Sequence, residues 1–124
     1  NMALADPRVQ TSPGQVAAKA AFRAAHELGL SQRDLAEAIG VSGATVSRMK
    51  DGGYDLAGKP LELALCLIRV FRSLDAIVGG DSASLKGWIK NRNDILGDSP
   101  KALILTATGL IEVMQYLDSA RAPT

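Results

Sequence analysis

"SQRDLAEAIGVSGATVSRMKDG", residues 31–52, holds two helix starts and a glycine turn in one short run. Ser31 is followed three residues later by Asp34, close to a capping box with Asp where Glu is usual, so a helix starts there and runs to about Ile39. Gly40 supplies the left-handed conformation that ends it, and Ser42 caps a second helix that stops near Gly52 and Gly53. Leu35 and Ile39 point inward, and Ala36 is small where two helices must cross closely. Val41, Val46 and Met49 anchor the second helix. Two helices held at ~90–120° by a three- or four-residue turn need this combination.

The positions left outside, Gln32, Ser42, Thr45, Ser47, Arg48 and Lys50, are polar residues suited to phosphates or base edges. The tip of the second helix, Ser42, Gly43 and Ala44, has almost no side chain to read with. A helical corner that never meets DNA would share the same apolar skeleton, because folds host many functions.

Outward from this core the chain stays helical. Apolar residues make up 47% of the 124 and aromatics only 4%. Ala and Leu are abundant and β-branched runs scarce, so the fold class is all-α. Residues 1–12 show no apolar period and read as a loose arm. Ser12 then offers an N-cap and Pro13 a first helical position for an Ala-rich helix to Gly29. Val16, Ala20, Ala24 and Leu28 are taken as its apolar side. After the linker "YDLAGK", Pro60 opens a long helix to about Val78, interrupted only by Glu62, Arg69, Arg72, Ser73 and Asp75. Its first half is apolar almost all round, which predicts burial on several sides or a subunit interface. A fifth helix follows an Asp81 or Ser82 cap and presents Leu85, Trp88 and Ile89. Ser99 and Pro100 start a short sixth. A last helix over "TGLIEVMQYLDSARA" lines up Leu110, Val113, Met114 and Leu117. The domain reading is an arm over 1–12, a helix-turn-helix unit over 13–58 and a second helical unit over 59–124.

Charge and cysteine content narrow the function classes. The formal charge is +1, from 14 basic and 13 acidic residues, so no global field draws the chain to a polyanion and any nucleic-acid surface must be local. Cys66 is a lone cysteine in an apolar run, read as a buried core thiol; it can form neither an internal disulfide nor a multi-cysteine zinc site. No apolar segment reaches the ~18 residues of a membrane span and no signal-peptide core is visible, which predicts a cytoplasmic protein. No catalytic constellation is seen: His26 is the single histidine, and HExxH, GxSxG and phosphate-loop patterns are missing. The expectation is a non-enzyme without cofactor or metal.

Residues 31–52 resemble the helix-turn-helix of the Xre and phage-repressor family. The resemblance implies backbone contacts for Gln32 and Thr45 and groove-facing positions for Gly43, Ala44, Ser47 and Arg48, of which Arg48 alone can make a bidentate contact to guanine. Further on, Trp88, the pair Ile95 and Leu96, then Gly97, Ser99 and Pro100, and the closing Thr108-to-Asp118 segment resemble the C-terminal toxin-binding domain of Xre, MbcA and ParS antitoxins. This implies an antitoxin that covers the active-site entrance of a partner, typically a RES-domain toxin that consumes NAD, and that represses its own operon. Trp88, Tyr116, Asp118, Arg121, Pro123 and Thr124 are the expected toxin contacts, with Arg121 and the Thr124 carboxylate occupying polar sites that NAD would use. A lone Trp such as Trp88 is more often core than contact, and a tail of this kind is as often inert. One such module buries little surface, so a homodimer on two-fold operator DNA is expected. The alternative is a stand-alone dimeric regulator whose second half only dimerises or senses a ligand.

Overall fold

Most helices begin where the sequence supplies an oxygen for their first free amides. A computed structural model describes residues 11–121, and its helices are α1 (Pro13–Glu27), α2 (Gln32–Ile39), α3 (Gly43–Lys50), α4 (Gly58–Ile77), α5 (Ser82–Lys90), α6 (Pro100–Leu103) and α7 (Ala107–Arg121). Residues 1–10 of the expected arm lie outside the described residues. Ser12, Ser31, Ser42, Asp81 and Ser99 each accept a hydrogen bond from an amide of the helix that follows. Ser12 and Ser31 complete full capping boxes with Gln15 and Asp34. For α7 the same service comes from Thr106, whose hydroxyl accepts from the Gly109 amide at 3.1 Å. Among the described residues there is no named strand, only an isolated bridge between Asn93 and Asp98. The all-α reading holds.

α4 is the axis of the molecule. α1 lies on one side of it and α7 on another, while α2 and α5 also touch it. Its Ala64, Leu67, Val70 and Leu74 are essentially sealed from solvent, and they join the helix-turn-helix core of Leu35, Ile39, Val46 and Met49 to the Leu110, Val113 and Leu117 face of α7. The result is a continuous core.

Three expectations need correction. The buried face of α1 is Gly14, Ala17, Ala18, Ala21, Ala24 and Ala25, with Val16 left 57% exposed. A strict four-residue spacing turns about 40° per step, so a row that starts on exposed Val16 reaches the core only at Ala24 and Leu28, whereas alternating steps of three and four stay on it. α4 begins at Gly58, two residues before Pro60, which sits within the first turn where its missing amide costs nothing. Cys66, read as a buried core thiol, is only half-buried, and Leu65 beside it is 53% exposed although the first half of α4 is buried on several sides. Partial burial still pushes the Cys66 thiol above its ordinary value, which keeps it protonated.

Two glycines carry close approaches. A Cβ on Gly14 would overlap Asp55 and the Leu56 carbonyl, and a Cβ on Gly109 would overlap the backbone of Leu103. The first lets α1 lie on the linker, held there by Ser12 Oγ donating to Asp55 at 2.7 Å. The second seats α7 on α6. Asp34 adds a tie between the halves, because its carboxylate lies 3.7 Å from Lys101 Nζ on α6.

Candidate functional sites

The first face is the open side of α2 and α3. Gly40, at φ 74°, ends α2 in the left-handed region, and three residues later α3 begins. Leu35, Ala36, Ile39, Val46 and Met49 hold the pair from behind, each 8% exposed or less. Gln32, Ser42, Gly43, Ala44, Ser47, Arg48 and Lys50 are all exposed. Thr45 is the exception. It is 8% exposed because it lies one turn before fully buried Met49 on the inner face of α3, and its hydroxyl pairs with Ser42 Oγ at 3.1 Å. Thr45 therefore completes the cap instead of standing free on the surface.

The bare tip has a positive use. Thr45 N–H is taken by Ser42 Oγ and Val46 N–H by the Ser42 carbonyl, but the amides of Gly43 and Ala44 have no partner among the described residues. These amides carry the positive end of the helix, where anions are favoured. Nothing lies within 4 Å of a Cβ built on Gly43. A phosphate or groove edge can therefore approach the backbone itself. Arg48 and Lys50 enter no ion pair among the described residues, whereas Arg33 faces Glu37 at 3.8 Å on the helix surface, an exposed pair of little energetic consequence.

The second face is built by α5, the 91–98 connection and α7. Trp88 and Tyr116 are both half-buried and stack with ring centroids 6.1 Å apart and planes 18° from parallel. Trp88 is thus neither pure core nor a free surface ring. It also walls a recess of about 400 Å³ with Ser84, Gly87, Asn91, Arg92 and Asn93.

Asp118 and Arg121 point elsewhere. Arg69 on α4 grips Asp118 with two bonds, Nη2 to Oδ2 at 2.9 Å and Nε to Oδ1 at 3.0 Å. Fully buried Ser73 donates to the same carboxylate at 3.4 Å and accepts from Arg121 Nη1 at 3.1 Å. These two expected contact residues clamp the end of α7 onto α4. The signal was present in the sequence: Arg69 and Ser73 interrupt an apolar helix four residues apart, on one face, and polar groups there need partners. Pro123 and Thr124 lie outside the described residues.

Among the described residues no group of three or more His, Cys, Asp or Glu could hold a metal ion, and no helix is long and apolar enough to cross a membrane. The comparisons with known proteins agree with the two-part layout. The family model described as the antitoxin Xre-like helix-turn-helix domain matches residues 7–69, and the one described as the antitoxin Xre/MbcA/ParS C-terminal toxin-binding domain matches residues 73–122. The changeover falls inside α4. A search of the curated proteins finds no match.

Proposed function

Since the chain belongs to the family of antitoxins that join an Xre-like helix-turn-helix to an Xre/MbcA/ParS toxin-binding domain, we propose that it neutralises a RES-domain, NAD-consuming toxin and represses its own operon, acting in the cytoplasm. The observation that carries this reading is the order of the two matched regions along one chain, with both packed on α4. In this reading residues 13–58 serve DNA, and residues 59–124 serve the toxin and the dimer.

On the DNA side, Gly43, Ala44, Ser47 and Arg48 face the major groove, and Gln32, Ser42 and Lys50 flank it at phosphates. Thr45 supports them from within. A homodimer doubles the small surface of one module on a two-fold operator, and Leu65, with half-buried Leu61 one turn earlier, gives α4 an apolar face for such a contact. On the toxin side, Trp88 and Tyr116 supply aromatic surface. Asp118 and Arg121 hold the end of α7 against α4, and in this reading the tail beyond them, Pro123 and Thr124, reaches the entrance of the NAD pocket, where groups that bind pyrophosphate would accept the Thr124 carboxylate.

The test is co-expression with the product of the adjacent reading frame while cellular NAD is followed. NAD should fall when that product is made alone and hold steady when this chain is present. An adjacent product that leaves NAD untouched in both arms would sink the assignment of the toxin class. Removing residues 122–124, which leaves the Arg121 clamp in place, should weaken protection; full protection by the shortened chain would place the block elsewhere on the second face.

A further inference from the structure

We propose that Ile95 is the apolar anchor by which the C-terminal half docks into a pocket on its toxin. The proposal rests on the antitoxin reading above and adds the point of contact. Ile95 is 79% exposed, more than Val16, Leu65, Ile77 or Ile111, the other large apolar side chains that stand out on the described surface. A lone exposed apolar residue is ordinary, so exposure alone would decide nothing. The way it is held is what matters.

Residues 93–98 form a turn closed by its own hydrogen bonds. Asn93 Oδ1 accepts from the Ile95 and Leu96 amides at 2.9 and 3.0 Å. The Asn93 carbonyl accepts from Gly97 N–H at 2.9 Å, and Asn93 N–H donates to the Asp98 carbonyl at 3.1 Å. Gly97, at φ 88°, takes the left-handed conformation that bends the chain back. Leu96 packs against the core while its neighbour Ile95 stands in solvent. The tip of such a turn ordinarily carries a small or polar residue. Here a β-branched apolar side chain is fixed outward on a backbone that has little left to order, which lowers the entropy cost of binding.

The surroundings fit a protein partner. Asn93, which caps the turn, also lines the recess walled by Trp88 and Arg92, and Trp and Arg are the side chains most often found at the centre of an interface. All of these residues lie in the region matched by the toxin-binding domain, residues 73–122. The occupant is therefore the folded toxin, offering an apolar pocket for the Ile95 side chain and a polar rim for Arg92.

The experiment measures affinity by calorimetry between the full chain and the purified product of the adjacent reading frame. Ile95→Ser should weaken binding about thirtyfold or more, as loss of a hot-spot side chain does. Ile95→Leu should retain most of it, and Val16→Ser, on the exposed side of α1, should bind as the unmodified chain does. Circular dichroism of each variant checks that the fold is intact. Unmodified affinity for folded Ile95→Ser, with the parent chain binding well, overturns the anchor and leaves the antitoxin reading standing. Absence of binding by the parent chain itself overturns both.

Discussion

Arg48 is the side chain on α3 with the two-point geometry that guanine edges require. In a gel-shift titration at fixed salt, Arg48→Ala should lose ~1–3 kcal/mol on the preferred operator and relax discrimination at one base pair. Gly43 tests the complementary claim, that the tip works through its backbone. A Cβ on Gly43 meets no neighbour in the fold, so with Gly43→Val the helix-turn-helix should persist with unchanged secondary structure, while operator affinity drops because the side chain holds the groove away. Asp34 combines two structural roles in one carboxylate. Its burial pushes the pKa up, but hydrogen bonds from Ser31 and the charge of Lys101 outweigh this and hold it below its ordinary 3.8. A depressed carboxylate contributes stability that is present above its unfolded pKa and is lost as pH falls through the lower folded value. Asp34→Asn should therefore flatten the part of the acid-unfolding curve below about pH 4, and at neutral pH should cost ~0.3–1 kcal/mol from the helix N-terminus.

Elements differ in how strictly their ends are set. The starts of α1, α2, α3 and α6 were legible because Ser12, Ser31, Ser42 and Ser99 advertise caps by short-range chemistry alone. α4 lacks a side-chain cap at Ala57, and there the Pro60 signal misplaced the start by two residues. Gly58 and Lys59, the two residues the helix adds in front, are both exposed, and no capping side chain marks that start. α7 is seated by a single missing methyl. Gly109→Ala would press a Cβ into the Leu103 backbone, an overlap that a rigid main chain cannot relieve. Urea denaturation should show a loss of ~1–3 kcal/mol. The same substitution at Gly43 should leave stability within a few tenths, since that position is open.

At the scale of the whole molecule, α4 joins the two matched regions through one continuous core, which predicts that they unfold together. Leu67 is fully buried on α4 within the common core. Leu67→Ala should cost ~2–5 kcal/mol, and native-state hydrogen exchange should show protection falling in α1 and α7 together; loss confined to one side would mean two independent units. The Arg69–Asp118–Ser73–Arg121 network works in the same sense, tying the last turn of α7 to α4. The residues of 31–52 determined the helix-turn-helix by themselves, because capping, the Gly40 turn and the apolar spacing are local and mutually consistent. Of the polar side chains expected to stand outside this skeleton all are exposed except Thr45, which lies on the inner face of α3. Which polar side chains of the second half face outward is set by how its helices pack. Asp118 and Arg121 look free in the sequence but find partners 49 and 48 residues away, whereas of the apolar pair Ile95 and Leu96 the first is held out by its turn and the second packs inward. Such pairings depend on how helices distant in the chain are brought side by side, and no periodicity within one helix records that.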